Sequence, residues 1–594
     1  MIENLKKRRI HSETRARLAA GVALTLATLW ATPGLATPGD AATVGVKSAL
    51  DDERLGLFSG REFGLTTGRC VGCTTPKAAL WYFQDEVIAV PRNGSPSEVP
   101  LVWVGAVHIL EHGRLSADGR SVQAEDGAVY RFSLVPQLPT NRSYYDESSA
   151  RFFRQRPLRV RGTVVKRPDD APTLLARTVW PEDYRIDPDA LPLDLLGKEE
   201  TLASLIEAER GGAQSHLSVR VLWKRRPAQA RVLAEKAVLG FILNGAQGDD
   251  DEAHGGHFAI VTGRFGPNGE WADWMVNNFY DLDYESEKGI VAAMTPMDNY
   301  LMDLNSGQAY YRPTYLLVAV LREDRAARWV QEAMVPVFRS FYAHRLIYDH
   351  AGMNCVGISL DTLRGIGWRI PTRGPTSYAM AVGGFAYGVV TDRSWTSGRK
   401  LFDYLAEERT RLLPRIGYEA GGEDLLALLD GRVRRVAGLS EFEQMLRDDV
   451  EAVLFFRIPQ IPSSRAFGRD PVASLEEYRR RVPADRSRWN VVPVRPRPLP
   501  PRDSGPRCGR KPETRSCGGH HHGKLGNPWH CESLRRLPAA IQHQTVRTRP
   551  SWVQDDWSLA FMNSPPDRRD YGCFGGSLVS RSRLIWASSF LSHL

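Results

Sequence analysis

Cysteine is scarce in this sequence, long apolar runs are missing, and neither sign of charge dominates. Only seven cysteines occur in 594 residues, and four of them lie beyond residue 500. The remaining three, Cys70, Cys73 and Cys355, are too few for a disulfide-dense secreted scaffold. No second cysteine pair and no suitably spaced histidine follows Cys70-Val71-Gly72-Cys73, which argues against structural zinc. The same pair lacks the trailing histidine of a haem attachment. The formal net charge of +9 is modest for this length, and the basic excess gathers at the two ends. No basic stripe for nucleic acid is read from it. After the N-terminus no segment has the length and apolarity of a membrane-spanning helix, so the mature chain is expected to have none. An apolar share of 42% is that of a globular protein rather than a disordered one.

What is present starts with a basic stretch, Lys6 to Arg17, followed by the apolar run Leu18–Trp30 and by small residues around Gly34-Leu35-Ala36. That order reads as a secretory signal over residues 1–36 and predicts a periplasmic or secreted protein. Arg8-Arg9 also permits a twin-arginine route. In an oxidising compartment Cys70 and Cys73 are expected to form a local disulfide, with a redox pair or half of a metal site as the other readings. If they pair, Cys355 is the odd, free thiol.

The chain is too long for one ordinary core, and its pattern divides. Residues 45–190 carry short β-branched runs punctuated by Gly and Pro, which predicts a small barrel or sandwich resembling, in pattern, the oligonucleotide/oligosaccharide-binding barrel. Residues 199–480 read as an α+β domain with a helical extension. Thr201–Arg210 and Ala228–Leu243 are expected to be helical. His257–Arg264, a turn at Pro267-Asn268-Gly269 and Trp271–Phe279 form an expected hairpin. Thr314–Leu321 and Val450–Ile458 read as buried strands, and Asp324–Tyr348 as an amphipathic helix with Pro336 inside it. Residues 490–594 are dense in Arg, Pro, Ser and Gly and read as a disordered basic tail, or as an out-of-frame translation of GC-rich DNA. Its His520-His521-His522 and cysteines are read as incidental composition.

Two segments could carry chemistry, GHFAIVTG at residues 256–263 and YDHAGMNCVGISL at 348–360. Asn354 is a good N-cap, which puts Cys355 at the first position of a helix. Unpaired N–H groups and the positive end of the helix dipole favour a thiolate there, and a thiolate attacks carbonyl carbon. His257 opens an apolar strand and is the candidate general base. Asn277, Asn278 and Asp273 on the returning strand are candidates for the polar group that orients its ring. Strand alternation lets only one of Asn277 and Asn278 point inward, and Asn277 is the preferred catalytic choice. His254 and His257 beside the acidic run Asp249–Glu252 could bind a metal, but a solvated loop is the preferred reading, so no metal or cofactor is expected.

The order of these elements resembles the circularly permuted papain-like hydrolases, relatives of NlpC-type cell-wall amidases and of lecithin–retinol acyltransferase in which histidine precedes cysteine. The resemblance covers roughly residues 200–380. It implies a permuted papain-like fold, antiparallel sheet packed on helices, behind a small barrel. It also implies a base at His257, a nucleophile at Cys355, and binding roles for Asn354, Tyr348 and Asn278. The reaction it implies is cleavage of an amide or ester of a cell-envelope substrate, such as a peptidoglycan peptide, through a thioester. The alternatives are an inactive papain-like scaffold that binds an envelope ligand, and a thiol or metal-binding protein that uses Cys70 and Cys73.

Overall fold

A computed structural model describes residues 45–481, apart from 52–53, 68–78, 80–82, 84–85, 93–98, 137–144, 168–169, 193–194, 209–215, 227–231, 247–254, 283–288, 351 and 464–467. The expected signal, the Cys70–Cys73 pair, the acidic loop with His254 and the C-terminal tail therefore lie outside the described residues.

The first strands are β1 (Val46–Ser48), a two-strand ribbon β2 (Arg54–Leu55) and β3 (Phe58–Ser59), β4 (Phe63–Thr66), β5 (Ile88–Pro91) and β6 (Val102–Trp103). Five strands then close a barrel: β7 (His108–Leu115), β8 (Ser121–Gln123), β9 (Val129–Leu134), β10 (Leu158–Arg167) and β11 (Asp170–Pro181). Around it they run β7-β10-β11-β9-β8 and back to β7, with β1 added on β7. Helix α1 (Glu147–Arg154) connects the third strand to the fourth, and β9 lies parallel to β11. Asp146 caps α1 by accepting the N–H groups of Ser148 and Ser149.

A ten-stranded sheet holds the rest. Its members are β12 (Ser218–Lys224), β13 (Ala237–Asn244), β14 (His257–Arg264), β15 (Met275–Asn278), β16 (Ala293–Pro296), β17 (Thr314–Leu321) and β18 (Val450–Ile458), together with β4, β5 and β6. The order across it is β12-β18-β17-β13-β14-β15-β16-β6-β5-β4. Strand β1 stays with the barrel on β7, whereas β4, β5 and β6 belong to the large sheet. They extend the far end of the large sheet through the parallel pairing of Val102 with Met294.

Helices in chain order are α2 (Leu202–Glu207), α3 (Met297–Met302), α4 (Arg325–Tyr342), α5 (Cys355–Gly365), α6 (Tyr378–Asp392), α7 (Trp395–Ala406), α8 (Arg409–Leu412), α9 (Pro414–Leu429), α10 (Glu441–Asp449) and α11 (Leu475–Arg481). The fold is mixed α+β with a closed five-stranded barrel. Among the described residues no helix is long and apolar enough to cross a membrane.

One expected element is wrong in kind. Ala237–Asn244 is a central strand, not the end of a helix. All eight of its residues are buried, because helices cover one sheet face and the barrel side the other. Leu239, Phe241 and Leu243 join the helix-side core, while Val238 and Ile242 join the core continuous with the barrel interior. A strand apolar on both faces loses the alternation that identifies strands. Gly240 is required there, since a Cβ would stand 2.5 Å from the Leu317 carbonyl oxygen of the neighbouring strand.

Buried ion pairs fasten the barrel to the sheet. Arg161 of β10 donates from Nη2 to Asp298 Oδ2 at 2.9 Å, and Arg159 from Nη2 to Asp273 Oδ1 at 2.6 Å. Arg177 of β11 donates to Asp303 at 2.8 Å. Trp180 of β11 meets Trp271 edge-on with ring centroids 4.8 Å apart.

Candidate active site

Helix α5 starts where its sequence predicts. Asn354 is extended, and its Oδ1 accepts the N–H of Gly357 at 2.8 Å. Its Nδ2 donates to the carbonyls of His350 and Leu412, at 3.0 and 3.2 Å. A cap held on both sides fixes the first turn, and Cys355 occupies its first helical position. Asn354 therefore serves as the anchor of the helix start, and it is 6% exposed.

His257 is delivered by Gly256, whose φ of +82° is left-handed. A Cβ on Gly256 would stand 2.6 Å from both the Asn244 carbonyl oxygen and the Pro471 side chain. The chain passes that gap only as glycine and enters β14, with His257 paired to Asn244 of β13.

Asn278 holds the imidazole, and this corrects the choice of Asn277. The Asn278 Nδ2 donates to the Val291 carbonyl at 2.6 Å, which turns its Oδ1 toward His257 Nε2 at 2.6 Å. An amide oxygen only accepts, so Nε2 carries the proton and Nδ1 keeps a lone pair. Asn277, on the opposite face of β15, donates to the Ile260 carbonyl at 3.2 Å and exchanges hydrogen bonds with Gln331 of α4 at 3.3 and 3.4 Å. Strand alternation forces this split; which of the two faces His257 follows from the register Ile260↔Asn277. Asp273, the third candidate, pairs with Arg159 at the barrel seam.

The backbone N–H of Phe258, the Tyr348 hydroxyl and the Val356 N–H of its own helix lie near enough to the Cys355 sulfur to favour its ionised form. Phe258 directly follows His257, so β14 and the start of α5 meet at this corner. The Cys355 N–H in turn donates to the Tyr348 oxygen at 3.4 Å.

The charge state differs from the thiolate expected at a helix start. Burial pushes the Cys355 thiol above its ordinary value; the nearby N–H and hydroxyl donors and the Arg312 charge pull back without overcoming it. Burial, then the Arg312 charge, drive His257 down to about 3, against a smaller upward pull from Asn278. Near neutral pH the pair is thiol and neutral imidazole, with Cys355 and His257 exposed by only 4% and 6%.

The surroundings contain polar groups that the sequence reading missed. Asn244 Nδ2 donates to Thr314 Oγ1 at 2.8 Å, and the Tyr300 hydroxyl donates to Asn244 Oδ1. Arg312 is 3% exposed. Its Nε donates to Gln308 Oε1 at 2.8 Å and its Nη1 to the Gly245 carbonyl at 3.3 Å. The only signal for them was an aromatic-rich irregular stretch, QAYYRP, just ahead of a core strand.

Among the described residues no cluster of three or more His, Cys, Asp or Glu side chains could hold a metal ion, and Cys355 is a free thiol. No family model, curated protein or solved structure matches the chain.

Proposed function

We propose that this protein is an exported cysteine hydrolase that cleaves an amide or ester of a cell-envelope substrate, with Cys355 as nucleophile, His257 as general base and Asn278 as the residue that orients the ring. One observation carries the reading. The cysteine at a helix start lies beside the residue after a histidine whose Nε2 is tied down by an asparagine, which leaves Nδ1 as the basic nitrogen.

The chemistry starts from a neutral pair. Nδ1 takes the thiol proton as the sulfur attacks the carbonyl carbon. The Cys355 N–H and the Tyr348 hydroxyl are donors for the oxygen that becomes negative. When the carbon–nitrogen or carbon–oxygen bond breaks, His257 returns the proton to the leaving group and a thioester remains. Water then attacks the thioester, gives its proton to His257, and the sulfur leaves and recovers it. The finer fold reading is a permuted papain-like domain, supported by histidine on a strand preceding cysteine on a helix. The barrel's five-strand closure, with a helix between its third and fourth strands, supports the oligonucleotide/oligosaccharide-binding type.

The test is mass spectrometry of Cys355 after exposure to peptidoglycan fragments, beside iodoacetamide labelling. An acyl adduct on Cys355, and labelling slowed at least about tenfold by His257→Ala, are expected. Undiminished hydrolysis by Cys355→Ala overturns the reading. A second reading, an inactive scaffold that binds an envelope ligand, is favoured by the near-complete burial of an uncharged pair; labelling indifferent to His257 would support it.

A further inference from the structure

Four arginines are buried among the described residues: Arg159, Arg161, Arg312 and Arg415. Three of them meet a carboxylate, Arg159 on Asp273 at 2.6 Å, Arg161 on Asp298 at 2.9 Å and Arg415 on Glu419 at 2.8 Å. Among the described residues Arg312 meets only neutral acceptors, the Gln308 side chain and the Gly245 carbonyl, while its guanidinium lies 5.2 Å from the centre of the Tyr311 ring. A buried cation without a counter-ion is costly, and folds keep few of them.

The location of this one is specific. Gly245 follows Asn244, the cross-strand neighbour of His257, and the same Asn244 pairs with Thr314, two residues beyond Arg312. The guanidinium therefore stands at the end of the sheet where β14 begins. Its charge is felt by both His257 and Cys355.

We infer that Arg312 recognises a carboxylate on the substrate, so that the bond cleaved lies beside a free acidic group. The substrate class is an amide or ester whose acyl or leaving portion carries that carboxylate close to the reacting carbonyl, such as a peptide cut next to a free α-carboxylate. This rests on the hydrolase reading above. A planar guanidinium binds a carboxylate through two parallel hydrogen bonds and supplies the pairing that Gln308 and Gly245 do not. The bound anion also offsets the positive field on His257 and makes the ring easier to protonate when the thiol gives up its proton.

Two alkylating reagents of similar size test this without knowledge of the substrate. Iodoacetate is anionic and iodoacetamide neutral, and the ratio of their rates at Cys355 cancels any change in thiol ionisation. The wild-type ratio is expected to exceed that of free cysteine by about tenfold. Arg312→Gln should bring it to the free-cysteine value, and Arg312→Lys should keep part of the excess. In the wild type alone, N-acetylglycine should protect Cys355 from iodoacetamide and N-acetylglycinamide should not. That arm stands even if the Arg312 variants fail to fold. A wild-type ratio equal to that of free cysteine, a ratio unmoved in Arg312→Gln, or equal protection by both acylglycines overturns the assignment. If labelling still depends on His257, only the role of Arg312 falls. If Cys355 resists both reagents, or His257→Ala leaves its labelling unchanged, the hydrolase reading falls with it.

Discussion

At the seam between barrel and sheet, Arg161 and Asp298 are each 1% exposed and closed on one another. At the corner where β14 begins, Arg312, His257 and Cys355 are buried to a similar degree and, among the described residues, hydrogen-bond only to neutral groups. The difference separates two uses of buried polarity. At the seam every charge is answered within the chain, which suits a joint that holds one geometry. At the corner the hydrogen bonds orient side chains but leave a ring nitrogen with no partner among the described residues and a guanidinium without an anion. Those are capacities a ligand can complete.

The sharpest break in that comparison is chemical. His257→Ala is expected to lower turnover of a cleaved substrate by about 10³-fold while costing only about 1–3 kcal/mol for the buried hydrogen bond lost at Asn278, as steady-state kinetics and calorimetry would read together. Arg161→Met should do the reverse. It removes the hydrogen-bonded counter-ion of Asp298, leaving only Arg159 Nε at 3.9 Å, and is expected to cost about 3–5 kcal/mol in denaturant unfolding, most of it recovered in Arg161→Met/Asp298→Leu.

Acid should also distinguish the corner. His257 is held at about 3 in the folded chain, against an ordinary 6.5. The unfolded chain therefore binds a proton below 6.5 that the folded chain refuses. The resulting stability is complete above pH 6.5 and is lost as pH falls from there toward 3. The expected slope is about 1.4 kcal/mol per pH unit, flattened in His257→Gln. Urea midpoints of the two proteins at pH 7, 5.5 and 4.5 read it; parallel curves would refute it. The smallest effects separate two adjacent asparagines. Asn277→Leu takes the amide oxygen away from Gln331 Nε2, which keeps only the Met294 sulfur, and should cost about 1–3 kcal/mol with labelling of Cys355 intact. Asn278→Ala should slow that labelling instead, because the ring loses its tether.

Much of this corner was legible in the sequence. The Asn354 cap and the register of the helix it starts follow from local chemistry, because a short side chain that accepts an N–H needs no tertiary partner. His257 at the head of an apolar strand is legible for the same reason. The choice between Asn277 and Asn278 was not, since alternation says that they oppose each other but not which faces inward until the pairing with β14 is known. Ala237–Asn244 was misread because burial on both faces erases periodicity. The ionisation of Cys355 was misjudged because a helix start is a local favour, whereas desolvation is imposed by everything packed around it. Arg312 was invisible as one arginine among the 78 lysines and arginines of the chain; only its lack of an acidic partner among the described residues sets it apart.

The path of the chain through the large sheet limits how this protein can be cut. Strands β4 to β6 precede the barrel in the chain and lie at the far edge of this sheet, where β6 covers β16. A fragment beginning after the barrel would keep the cysteine and the histidine yet bare an unpaired strand, which is a template for self-association. Shuffling this architecture as interchangeable cassettes would tear a seam, so its two halves are expected to be inherited, expressed and lost as one.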